Sequence, residues 1–300
     1  PLSPTASVDL EARLGSGDWT PNLTLTVGRG PEDRRWTLAG YHRLESMADW
    51  GDPFSFTSSV AALFLGMDRG EYYRASGAAL GHQYIGQRVR WQIEAFHEAQ
   101  RGVSLGSDFF LADPIRDDTV DAVLSADRLD LSGGRATLSW FAGLDPNGLI
   151  VTGRVHAEAA TGDASYRRAW AQASAVHPLR FGLAGAVEVG AGALWGDEPI
   201  QRNFFLGGSS TLRGLDQNQI HGASFWHARA EVASGFAGAR IGLFTDLGWV
   251  GPRAEFSLHD PWASVGVGTS LLDGIFRFDL SRSVRRDSRW KVNLYLDGLF

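Results

Sequence analysis

The chain has 300 residues, no cysteine, a formal net charge of −6 and a pI near 5.8. This excludes thiol chemistry and disulfide staples, and it leaves no basic footprint for nucleic acid, so no nucleic-acid partner is expected. Apolar residues make up 44%, and the longest stretch free of Asp, Glu, Lys and Arg runs from Pro53 to Met67, too short for a spanning helix of about 20 residues.

About sixteen amphipathic segments follow one another along the chain. The first, 7–15, sets Val8, Leu10, Ala12 and Leu14 against Asp9, Glu11 and Arg13. Segments 21–29, 35–45, 54–65, 71–81 and 86–97 come next. In 86–97, Val89, Trp91, Ile93 and Ala95 oppose Arg88, Arg90, Gln92 and Glu94. Then come 119–130, 134–143, 148–160, 164–177 and 180–195, and finally 223–234, 238–249, 262–272, 274–284 and 289–300. In 148–160, Thr152, Arg154, His156 and Glu158 share one face. In the last segment Trp290, Val292, Leu294, Leu296 and Phe300 point one way, with Gly298 among them, while Lys291, Asn293, Tyr295 and Asp297 point the other.

Turn chemistry separates the segments at Leu144-Asp145-Pro146-Asn147-Gly148, Ser132-Gly133-Gly134, Thr161-Gly162-Asp163 and Leu272-Asp273-Gly274. So many half-apolar strands, ending on an aromatic residue at a free edge, point to an all-β fold. The expected form is a transmembrane antiparallel β-barrel of about sixteen strands, filling 1–300 as a single domain. A water-soluble sandwich has the same periodicity and is the competing architecture. The 37 glycines suit curved strands, and the 11 tryptophans suit a water–lipid boundary. Trp19, Trp36, Trp50, Trp195, Trp249, Trp262 and Trp290 fall near segment ends and are expected to form a girdle. No signal peptide is visible at Pro1, so a mature or trimmed chain is expected, with any periplasmic N-terminal domain lying outside it.

Counting back from a periplasmic C-terminus makes 272–274 a short periplasmic turn and puts 250–261 and 195–223 outside. Residues 98–118 break the rule, being long yet periplasmic by this count. The longest outer connection contains Arg202-Asn203-Phe204-Phe205-Leu206-Gly207-Gly208-Ser209-Ser210-Thr211-Leu212-Arg213-Gly214-Leu215. Adjacent glycines permit a sharp reversal, and Gly214 permits close approach beside Arg213. The loop is therefore expected to fold back into the lumen, with Arg213 seeking a carboxylate. Inward sets of Arg240, Gly242, Phe244, Asp246 and Gly248, and of Phe225, His227, Arg229 and Glu231, offer partners, Asp246 being the best acceptor.

Phe205-x-Gly207-Gly208 followed by Leu212-Arg213-Gly214 resembles the loop signature of the BamA, TamA and two-partner-secretion (FhaC-like) barrels, the bacterial surface antigen type. Phe244-Thr245-Asp246-Leu247-Gly248 resembles that superfamily's companion strand motif. The family usually has an aromatic after Arg-Gly, where this chain has Leu215. The resemblance implies a bacterial outer-membrane protein that inserts outer-membrane proteins or exports polypeptides, needs no cofactor and is not an enzyme. It also implies client polypeptides as partners, contact with the lipid bilayer, and periplasmic domains or accessory proteins. The strand bearing Trp290, Tyr295, Gly298 and Phe300 looks like the signal by which such barrels are assembled. A weak seam between 7–15 and 289–300 is the expected opening.

Three rivals remain open. A catalytic reading would use His156 with Glu158 or His97 with Glu98, and neither pair comes with a serine or acid pattern. A passive pore would share the lumen charges. A passenger anchor, such as that of a patatin-like lipase, tends to lack the loop arginine. For Arg213 itself the alternative is an exposed residue contacting lipopolysaccharide.

Overall fold

The computed structural model describes residues 6–13, 20–50, 71–103, 124–143, 145, 148–234, 239–271, 276–284 and 289–295. Sixteen strands run in chain order: β1 Ala6–Arg13, β2 Asn22–Arg29, β3 Arg34–Ser46, β4 Tyr72–Ile85, β5 Val89–Gly102, β6 Leu129–Ala142, β7 Ile150–Gly162, β8 Tyr166–Pro178, β9 Leu183–Gly196, β10 Phe204–Leu206, β11 Ile220–Gly222, β12 Ser224–Ser234, β13 Ala239–Gly251, β14 Trp262–Leu271, β15 Phe276–Ser283 and β16 Trp290–Tyr295. Among the described residues fourteen of them form one sheet of sequential neighbours, and β10 pairs only with β11 in a small hairpin between β9 and β12. Every pairing is antiparallel.

The sheet is inside out compared with a soluble protein. Val8, Leu10, Leu38, Leu80, Ile93, Val189, Leu243 and Val292 are exposed, Leu10 to 72%. Glu98, Glu158, Arg168, Glu231, Asp246, Arg277 and Asp279 are buried. Alternation at period two puts the first group outside and the second inside, the arrangement a barrel in lipid requires. A soluble sandwich would bury the first set, so that architecture is excluded. The inward sets expected on β12 and β13 hold, with Arg240 only half-buried.

Among the described residues fourteen strands form the wall sheet, beside about sixteen expected segments. β3 and β4 pair directly through thirteen positions, from Arg34↔Tyr84 to Ser46↔Tyr72. The expected segment 54–65 lies outside the described residues. Segments 119–130 and 134–143 correspond to one strand: 124–128 is not strand, and β6 runs through the expected Ser132-Gly133-Gly134 turn without a break. Gly133 serves packing there, because a Cβ would fall 2.4 Å from the Ala159 carbonyl oxygen and 2.8 Å from the Phe96 ring. The turn at Thr161-Gly162-Asp163 does separate β7 from β8. The expected turn 272–274 and the terminal Gly298 and Phe300 lie outside the described residues.

The direction of β5 removes the anomaly at 98–118. β5 continues to Gly102, and the connection from there to β6 opens at the same end as 47–71 and 197–223. Asp127 and Gln201 clasp each other at that end: the Asp127 backbone N–H donates to Gln201 Oε1 at 3.1 Å, and Gln201 Nε2 donates to the Asp127 carbonyl at 3.1 Å. Connections 30–33, 86–88 and 179–182, all short, lie at the opposite end.

The tryptophans divide. Trp36, Trp195 and Trp290 are exposed on the apolar exterior, as a girdle requires. Trp50 is not part of it. It is buried inside against Trp170 and Phe225, with ring centroids 5.1 Å away in both cases. Trp19 lies outside the described residues.

Candidate functional site

The loop between β9 and β12 fills the interior. Phe204, Phe205 and Leu206 of β10 and Arg213 are fully buried, and Leu212 and Leu215 nearly so. Leu215 therefore packs in the core at the position where the related motif carries an aromatic ring. The reversal that aims the loop inward uses Gly207 and Gly208, with φ of +126° and +83°, a region that favours glycine. Thr211 Oγ1 closes this turn by accepting the Gly207 N–H at 2.8 Å.

Arg213 is 0% exposed. Its Nε and Nη2 donate to Oδ2 and Oδ1 of Asp246 at 2.9 and 2.6 Å, a bidentate pair, and its backbone N–H donates to the same Oδ2 at 3.0 Å. Nη1 donates to Glu231 Oε2 at 2.9 Å and lies 3.6 Å from Asp279. The guanidinium sits over the Phe244 ring, 3.4 Å from its centroid. Burial alone would pull the Arg213 pKa down. The hydrogen bonds and charge of Asp246 outweigh it and hold the group above the ordinary arginine range.

A second layer orients these acceptors. Arg277 donates to Glu231 at 2.7 Å and to Asp279 at 3.0 Å, and Tyr295 donates to Asp279 at 2.5 Å. Arg229 donates to the carbonyls of Ser210 and Ser209 at 3.1 and 3.0 Å, gripping the loop from the wall. The Arg213 carbonyl accepts from Ser281 at 2.6 Å and from Asn293 of β16 at 3.0 Å, while Lys291 of β16 pairs with Asp216 at 2.5 Å. All three inward residues of β16, Lys291, Asn293 and Tyr295, thus touch the loop or the cluster around it. Gly214 passes so close to the wall that a Cβ would meet Ser264 Cβ at 2.5 Å and the Ser283 nitrogen at 2.8 Å. Gly248 leaves space for Leu212, whose methyl carbons stand 3.2 and 3.3 Å from the position of a Cβ there.

A second arginine of the loop, not singled out by the sequence reading, is equally committed. Arg202 Nε donates to Glu158 Oε1 at 2.9 Å and to the Tyr166 hydroxyl at 2.9 Å. Its Nη1 donates to the Tyr73 hydroxyl at 2.8 Å and its Nη2 to Glu98 at 3.2 Å. Tyr166 in turn donates to Glu158. Burial lowers the Arg202 pKa, and the charge of Glu158 leads the opposing influences that carry it well above the usual value. The signal for it was present, since Arg202 opens the same run that ends at Leu215. Its partners could not be foreseen, because they lie on β4, β5, β7 and β8.

The histidine pairs weighed for catalysis do not assemble. His97 is exposed on the outer face with Ser132 and Asp130, while Glu98 is buried on the inner one. His156 hydrogen-bonds Thr137 at 3.0 Å and lies 3.7 Å from Oε2 of Glu158, whose Oε1 serves Arg202 and Tyr166.

Residues 144–287 match the Omp85 superfamily domain. A comparison with curated protein sequences gives no match. Among solved structures, CdiB from Acinetobacter baumannii aligns with a TM-score of 0.55 at 12% identity, over 96% of this chain and 52% of that one. BamA from Haemophilus ducreyi lacking POTRA domains 1-3 aligns with a TM-score of 0.53 at 12% identity, over 97% of this chain and 70% of that one. At such identity the likeness is one of fold, and the chain spans about half the length of that CdiB. Among the described residues no backbone pairing joins β1 to β16. The shared fold and the inverted faces nonetheless establish a barrel wrapped around its loop. Residues 144–287 thus match the Omp85 superfamily domain, and the chain is an outer-membrane β-barrel with the fold seen in CdiB and BamA.

Proposed function

We propose that this barrel handles other polypeptides, inserting outer-membrane proteins into the membrane or passing chains across it, with client polypeptides as its partners and without enzymatic chemistry. The observation that carries this reading is the fully buried Arg213, clamped between Asp246 and Glu231 while its own carbonyl is held by Asn293 of β16. A loop fixed in the lumen obstructs a steady open pore, which counts against a passive channel. The same loop braces the terminal strand. That strand faces β1 across a seam that supplies free backbone groups, and a client strand could pair with them by β-augmentation.

Cysteines engineered into β1 and β16 and oxidised to a disulfide test this reading. The locked barrel should stop inserting or exporting clients and recover on reduction. Undiminished activity in the locked form contradicts the seam mechanism.

A further inference from the structure

We propose that the lumen mouth at the short-turn end is a cationic docking site for acidic segments of a polypeptide. This deepens the reading above and rests on it, since it specifies the chemistry of the chain that enters.

The argument begins with charge pairing on the inner face of β3 to β9. Each carboxylate there already has an arginine: Glu45 has Arg43 at 2.6 Å, Glu94 has Arg135 at 2.5 Å, Glu98 and Glu158 share Arg202 at 3.2 and 2.9 Å, and Glu188 has Arg229 at 3.4 Å. Arg168 is held by Asp49. Three inward arginines on the same strands remain. Arg35, Arg90 and Arg154 have no ion pair among the described residues. Arg35 is half-buried and its Nε lacks a hydrogen-bond partner, while Arg90 and Arg154 are exposed to the lumen.

Strand register brings the three together. Ser139 of β6 pairs with Arg90 on one side and with Arg154 on the other, so the two arginines stand two strands apart, about 10 Å. Arg35 pairs with Gln83, which pairs with Gln92, two residues along the same face from Arg90. That separation is about 12 Å. Their neighbours in these rows are Gln83, Gln92, Thr137, Ser139 and Gln172, all neutral hydrogen-bonding groups. The patch is thus cationic and polar, and the carboxylate that borders it, Glu94, accepts from Gln92 at 2.6 Å and is already paired with Arg135. Cations lining a lumen with low-dielectric walls concentrate the opposite charge, and at physiological salt the field of each reaches about 8 Å. An extended peptide advances about 3.3 Å per residue and alternates its side chains, so carboxylates two or four residues apart share one side at about 7 or 13 Å and bracket the spacing of Arg90 and Arg154.

The test uses the full chain refolded in detergent micelles, with folding checked by the heat-dependent gel shift of a barrel. Binding of a short labelled Glu/Ser peptide is compared with that of its Lys/Ser counterpart by fluorescence anisotropy. The acidic peptide should bind roughly tenfold more tightly at low salt, with the preference shrinking as salt rises. The Arg35→Gln/Arg90→Gln/Arg154→Gln variant should lose the preference, and the corresponding Lys variant should keep it. If the triple Gln variant does not fold, Arg90→Gln and Arg154→Gln singly should each weaken acidic-peptide binding. Equal binding of the two peptides, or a preference that survives loss of the arginines, overturns the proposal. Because no client-handling assay is involved, a barrel inactive toward clients can still pass this test, and an active one can fail it.

Discussion

The two arginines of the inserted loop make the same kind of contact with opposite halves of the wall, yet they are built differently. Arg213 meets carboxylates on β12 and β13, is stacked on Phe244, and engages its backbone N–H and carbonyl as well as its side chain. Arg202 meets Glu98 and Glu158 but shares the load with two tyrosine hydroxyls on β4 and β8. The first anchor is a dense charge cluster that reaches the terminal strand. The second is a looser hydrogen-bonded net that keeps clear of it. A loop tied at both ends spans the lumen, and its two ties should differ in what their loss costs.

The largest effect should come from Arg213→Ala. It leaves Asp246, Glu231 and Asp279 close together in a site shielded from water, and unpairing a buried charge costs about 3–5 kcal/mol. Urea unfolding in micelles should show a loss of that order. Asp246→Ala should be similar, and the double variant little worse than either alone, because both remove one interaction. Strict additivity of the two would break the comparison by making the pair energetically independent.

Arg202→Ala should cost less, about 2 kcal/mol, since Tyr166 can still donate to Glu158 after the guanidinium is gone. A loss equal to that of Arg213→Ala would mean the two anchors are equivalent. Gly214→Ala comes next, at about 1–3 kcal/mol for overpacking against Ser264 and Ser283. Asn293→Ala should be mildest, about 1 kcal/mol, because Ser281 still donates to the Arg213 carbonyl. Its distinctive consequence is local: amide exchange in β16 should quicken while β4 and β8 stay protected.

The contrast between the anchors also marks how far the sequence was legible. Period-two alternation sorts inside from outside on β12 and β13, so the sequence alone places Asp246, Glu231 and Phe244 facing the lumen. The run through Gly207, Gly208 and Arg213 then indicated which loop turns inward. Alternation says nothing about which strands lie opposite one another. Tyr73, Glu98, Glu158 and Tyr166 converge on Arg202 only because the sheet curls, and Tyr73 lies 129 residues away in the chain. One turn was misplaced for a related reason. Ser132-Gly133-Gly134 has turn composition, but Gly133 is there to let Phe96 and the neighbouring backbone approach. Trp50, read as a girdle residue, packs in the lumen because the connection that carries it comes close to Trp170 and Phe225.

The central claim is that Arg213 keeps the loop inside the barrel. The absence of native cysteine makes it directly measurable with single engineered thiols. Leu215→Cys should resist a membrane-impermeant maleimide, while Phe181→Cys, at a turn position that is 96% exposed, should label at once. Adding Arg213→Ala should bring the Leu215→Cys rate up toward that of Phe181→Cys. Rapid labelling of Leu215→Cys with Arg213 intact would contradict the account.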